Sequence, residues 1–275
     1  MADAASVDIV RKLITFSHWR IPLGVGCRRN LTVQAADLRW SEGRRDVMGW
    51  NPLFATGSPD AVGIDSIETL IVPRSVDVNP FIRRVLPAPL RQMVGPFIFF
   101  DQFGPLEVIA SSAGDVRPHP HIGLATVTYI YRGEVHHRDS LGTSQIIAPG
   151  AVNWMVAGRG ITHSERAPAQ LLGHSVAYYG IQTWVALPER EEDATPRFEH
   201  HPREALPVLE DEGINLRLIL GNAYGAVAPA SVFSDTFYAD VALQPGARMP
   251  LPDDHEDRGP AQRPRRRTLR QPDLE

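Results

Sequence analysis

Two short stretches hold residues that could do chemistry. The first is RPHPHIGL (117–124), where His119 and His121 flank Pro120. The second is GRGITHSE (158–165), which carries His163 and Glu165 at the same i, i+2 spacing. In a β-strand, residues i and i+2 point to one face. Each pair would therefore present two ligand-type side chains together, and two such pairs on two strands of one barrel can converge on an interior point. The product is a three-histidine, one-carboxylate set, suited to Fe, Mn, Co, Ni, Cu or Zn. Four protein ligands in an octahedral field leave two open positions, which on a redox-active metal is what O2 activation needs, as in non-haem iron oxygenases. A closed structural zinc site would favour thiolates, and the chain has one cysteine, Cys27. Either pair alone is weak evidence, because an H-x-H pair arises by chance and is usually just solvated.

The surrounding pattern supplies strands to carry both pairs. From IETLIVPRSVDV (67–78) onward, β-rich runs alternate with Gly, Pro, Asp and Asn turns: GPFIFFDQFGP (95–105), ATVTYIYRGEVHH (125–137), residues 143–165 and SVAYYGIQTWVALP (175–188). Short strands at this spacing predict an all-β sandwich or barrel. Pro120 cannot donate to a ladder, which puts His119 and His121 on an edge or at a strand start. Gly158 and Gly160 permit a tight backbone path into THSE. The remaining histidines read as ordinary polar residues. His136 and His137 are adjacent, so at most one points inward, and His200 and His201 lie in a charged stretch broken by Pro196 and Pro202. Trp154, Trp184 and most of the phenylalanines read as core.

Composition narrows the classes. The 275 residues are 43% hydrophobic and 22% charged, as in a soluble globular protein with room for one large core or two ordinary ones. A net charge of −4 leaves no footprint for nucleic acid or an anionic membrane. The N-terminus lacks the basic n-region of a secretory signal, so the expected location is cytoplasmic. All basic residues but Lys12 are arginine, and there are 24 prolines, a bias typical of GC-rich coding sequence.

MVGPFIFFDQFGP, RPHPHIGLATVTYIYRGEVHHRDSLG, IAPGAVNWMVAGRGITHSE and GIQTWVALP together resemble the pirin family of the cupin superfamily, over roughly residues 66–258. The resemblance implies an all-β bicupin, two barrels facing each other with a metal in the first. It implies ligation by His119, His121, His163 and Glu165. The usual cupin glutamate after the second histidine is replaced by Ala125, so the carboxylate falls to Glu165. The implied organisation is an irregular non-family extension over 1–62, a first cupin domain with the metal site over 63–188 and a linker or crossover over 189–213. An incomplete second cupin domain over 214–258 and an aberrant arginine-rich tail over 259–275 follow. An upstream start codon and a frameshift near residue 259 would account for the two ends. The implied function is that of a bacterial pirin-like quercetin 2,3-dioxygenase. It would open the ring of a flavonol with O2, and Glu165 would be the catalytic base that takes the 3-hydroxyl proton. The alternative is a non-enzymatic, iron-binding, redox-sensing regulator that binds a partner protein; the same four ligands would serve it. The expected partners are an aromatic substrate and O2, with the chain acting as a monomer and touching neither nucleic acid nor membrane.

Overall fold

The computed structural model describes residues 10–17, 32–34, 71–76, 79–245, 247–250 and 257–262. Among these residues the chain is all β, with short 3-10 turns and no α-helix. Among the described residues no helix is long and apolar enough to cross a membrane. The strands are β1 (Val10–Ser17), β2 (Thr32–Gln34), β3 (Arg74–Val76), β4 (Asn79–Leu86), β5 (Phe97–Ile109), β6 (Val116–His121), β7 (Leu124–Arg132), β8 (Val135–Asp139), β9 (Ser144–Ile147), β10 (Val152–Val156), β11 (Ile161–Arg166) and β12 (Ser175–Ala186). They continue with β13 (Arg197–His201), β14 (Val208–Asp211), β15 (Ile214–Ala223), β16 (Ala226–Val227), β17 (Thr236–Leu243), β18 (Arg248–Pro250) and β19 (Asp257–Gln262).

The first barrel is built from two sheets. One runs β13-β10-β7-β12-β5-β4-β3 and the other β6-β11-β8-β9. Its central strand β7, LATVTYIYR, is rich in β-branched and aromatic residues and is buried on both faces, which is why it reads as a near-continuous apolar run. The two faces serve different ends. Val127 lies opposite both Thr183 and Trp154, so all three share one side. With Tyr129 and Val185, Val127 and Trp154 form a core that also contains Ile219, Leu220 and Tyr238 of the second unit. Tyr129 donates to Asp240 at 3.1 Å, and the Thr183 and Tyr238 hydroxyls meet at 3.1 Å. The opposite face, with Thr126, Met155, Gln182 and Trp184, looks into the barrel toward the four-stranded sheet.

The second unit is a sheet ordered β14-β15-β17-β1-β19. The chain is thus an all-β bicupin. Three segments differ from the sequence reading. Residues 1–62 were expected to be irregular, but Val10–Ser17 pairs along its whole length with β17, and Thr32–Gln34 pairs with β18. Residues 189–213, read as a linker or crossover, carry β13, which pairs with β10 of the first barrel, and β14, which pairs with β15 of the second unit. Asp257–Gln262, spanning the start of the arginine-rich tail, pairs with β1. A local hydrophobic period does not reveal these pairings, since all but the β14–β15 hairpin are made with strands distant in sequence. The rest of 1–62 and of 259–275 lies outside the described residues.

Candidate metal centre

β6 and β11 pair antiparallel, with His163 directly opposite His119 and Ile161 opposite His121. Beyond His163 the register slips, so Glu165 faces Val116. The slip adds one residue to β6, a bulge of the kind that re-aims side chains at functional sites. β6 is the edge strand of its sheet, as Pro120 requires. Gly158, at φ +50°, leads into β11 by lying against Ala194, whose carbonyl a Cβ would overlap.

The three imidazoles converge. Ring centroids are 4.4 Å apart for His119–His163 and 4.9 Å for both His119–His121 and His121–His163. One nitrogen from each lies within 4.8 Å of the others. His119 Nδ1 sits 2.8 Å from the Arg117 carbonyl, so it carries the hydrogen and leaves Nε2 bare. His121 Nε2 and His163 Nε2 are buried without a hydrogen-bond partner. Buried polar atoms are normally satisfied, and two bare imidazole nitrogens beside a third form a donor set that fits a divalent transition metal. Glu165 is buried beside them, its Oε1 3.7 Å from His163 Nδ1 and accepting from Gln182 Nε2. Its carboxylate lies outside the three-histidine group.

Sequence reasoning passed over four residues that belong here. His137 faces inward against His163, with ring centroids 5.1 Å apart, while His136 turns away to Ser144. Gln182 holds Glu165. Trp184 packs edge-on against His121 at 5.0 Å and stacks on Phe99 at 4.0 Å, giving the site an aromatic wall. Phe198 stacks on His137. Only His137 left a readable trace: HHRD places His137 and Asp139 at the same i, i+2 spacing as the two ligand pairs. His200 bonds Asn153, and His201 bonds Glu199.

Burial sets the charge state. It pushes His163 down to about 2, aided by the neighbouring imidazoles His119, His121 and His137, and pushes His121 down to about 4, aided by His119. Burial also raises Glu165, although His119 and the Gln182 hydrogen bond oppose it. In the unfolded chain imidazoles titrate near 6.5, so below that pH the unfolded state binds more protons than the folded one. His137 and His200 are lowered by burial in the same sense, while Glu165 works against them. The metal-free protein is therefore expected to lose stability as pH falls from about 6.5 to about 4. Urea midpoints across that range check this; a flat or rising midpoint would contradict it.

Residues 79–185 match the family model described as Pirin. Over 196 residues the chain is 45% identical to a pirin-like protein of Caulobacter vibrioides, covering 70% of this chain and 68% of that one. The chain belongs to the pirin family. A second relative, from Pseudomonas aeruginosa, is provisionally named as a quercetin 2,3-dioxygenase; it is 39% identical over 171 residues, covering 62% of this chain and 52% of its own length. Among solved structures, a quercetin 2,3-dioxygenase from Acinetobacter baumannii is similar in fold, with a TM-score of 0.54 and 28% identity, over 68% of this chain and 75% of that one. The chain spans about two thirds of the Caulobacter relative and about half of the Pseudomonas one. The four candidate ligands and Gln182 all fall inside the segment that matches the pirin model.

Proposed function

We propose that this pirin is a metal-dependent dioxygenase that opens the ring of a flavonol such as quercetin with O2, releasing carbon monoxide. In this reading His119, His121, His163 and Glu165 are the ligands, and Fe2+ is the preferred ion. The observation that carries it is the pair of buried, unpartnered nitrogens on His121 and His163 facing His119. Two relatives bearing the quercetin 2,3-dioxygenase name support the choice of substrate class.

A redox-active ion held there would supply Lewis acidity and a path for electrons between an electron-rich flavonolate and O2. The remaining chemistry belongs to the side chains. Glu165 Oε2 takes the proton of the flavonol 3-hydroxyl, while Gln182 fixes the other oxygen. A carboxyl raised by burial is a stronger base at neutral pH than an exposed one. The stacked Phe99 and Trp184 rings offer a flat apolar wall to an aromatic substrate.

Metal analysis together with oxygen uptake on quercetin, using purified iron-loaded protein, tests the proposal. Uptake that scales with bound iron is the expected result. Protein that holds iron but consumes no O2 with any flavonol would exclude the dioxygenase and favour the partner-binding regulator.

A further inference from the structure

Behind His163 lies a second buried hydrogen-bonded pair. His137 Nδ1 is 3.3 Å from His163 Nδ1, and His137 Nε2 is 3.0 Å from Asp139 Oδ2. The other Asp139 oxygen accepts the backbone N–H of Leu141 at 2.9 Å and of Thr143 at 3.0 Å. Burial alone would raise Asp139, but its hydrogen bonds from His137, Thr143 and Leu141 hold it below the usual carboxylate range. Asp139 is therefore ionised and can only accept. The hydrogen between Asp139 and His137 must sit on His137 Nε2. With its Nε2–H given to Asp139, His137 offers the lone pair of Nδ1, and His163 Nδ1 also lies 3.7 Å from the acceptor Glu165 Oε1. Two facing ring nitrogens bond only if one carries a hydrogen, and here that one is His163 Nδ1. His163 Nε2 is then left bare, and it is the buried, unpartnered atom of the cluster. Phe198 of β13 stacks on His137 at 4.4 Å and 23°, which fixes the plane of the ring.

We propose that Asp139 and His137 form a positioning relay that locks His163 in the tautomer able to ligate a divalent metal, and so sets the affinity of the site. The affinity claim rests on the metal-site reading above. Outer hydrogen-bond partners of ligating histidines typically change metal affinity 10–100-fold when removed.

The test reads tautomer and affinity separately. Long-range 1H–15N correlation spectra of the metal-free protein should show His163 with its hydrogen on Nδ1. Asp139→Asn keeps an oxygen for Leu141 and Thr143 but turns a donor toward His137. That reverses the relay, moves the His163 hydrogen to Nε2, and should weaken Zn2+ binding by about 10–100-fold in chelator competition. His137→Gln offers an amide oxygen to His163 Nδ1 and should retain more affinity than His137→Leu. A wild-type His163 with its hydrogen on Nε2, or Asp139→Asn binding Zn2+ as tightly as wild type, would overturn the relay. Wild-type protein that binds no Zn2+ would instead remove the metal-site reading, and the His163 tautomer would still decide the relay.

Discussion

Replacing His163 with alanine is expected to strip the protein of metal and take flavonol-dependent oxygen uptake to baseline. His163 is the hub of the cluster. It lies on β11, between β6 and β8, so its backbone is held on both sides. Its ring neighbours those of His119, His121 and His137. Alanine removes one ligand nitrogen and cuts the cluster off from His137 and Asp139. The loss should exceed about 100-fold in Kd, or ~3 kcal/mol. The fold should survive, because β11 is paired on both sides and the loss of the His137 Nδ1 partner is offset by removing the unpartnered His163 Nε2. The matched control is His136→Ala, on the outer side of β8, which should leave metal content unchanged and stability within about 0.5 kcal/mol. Metal content by mass spectrometry and far-UV circular dichroism separate the outcomes. A His163→Ala protein with full metal content would remove His163 from the ligand set.

The second large effect concerns stability. Trp154→Ala should cost about 3–5 kcal/mol, a large part of the roughly 5–15 kcal/mol that holds a typical native protein together. Trp154 is 1% exposed and packs in the core that joins the first barrel to Ile219, Leu220 and Tyr238. Its indole N–H donates to the Ser231 carbonyl at 3.2 Å, so truncation also leaves that acceptor short of a donor, although Arg197 still reaches it at 3.0 Å. Because this core is shared, the urea midpoint should fall for both units together, reported alike by tryptophan fluorescence and by circular dichroism. A shift below about 1 kcal/mol would mean that the two units do not depend on this contact.

The three-histidine cluster was legible because it depends on strand period. His119, Pro120 and His121 alternate along an edge strand, and His163 and Glu165 alternate along the strand beside it, so local spacing was enough to bring the three histidines together. The first-barrel strands were legible for the same reason, since turn residues punctuate β-rich runs. What escaped notice depends on partners far off in sequence. Gln182 and Trp184 look like any alternating positions until β12 is placed across the barrel from β6 and β11. Phe198 sits in a stretch whose charges and prolines mask a strand. Val10–Ser17 gains meaning only from the edge of β17 that it covers. The bulge that lets Glu165 face Val116 has no signature in residue type.

β13 has one face on each side of the molecule. Phe198 meets the histidines inside the first barrel, while Glu199 receives the Ser231 N–H of the second unit at 3.1 Å. A proteolytic cut or fusion joint placed between residues 189 and 213 would therefore not release two independent modules. A cut before Arg197 would take Phe198 away from His137 and leave β10 with a bare edge, so a fragment ending at Leu187 would be prone to self-association through that strand. A fragment that keeps Phe198 on His137 must extend past His201, and one that keeps the shared core must also include Ile219, Leu220 and Tyr238.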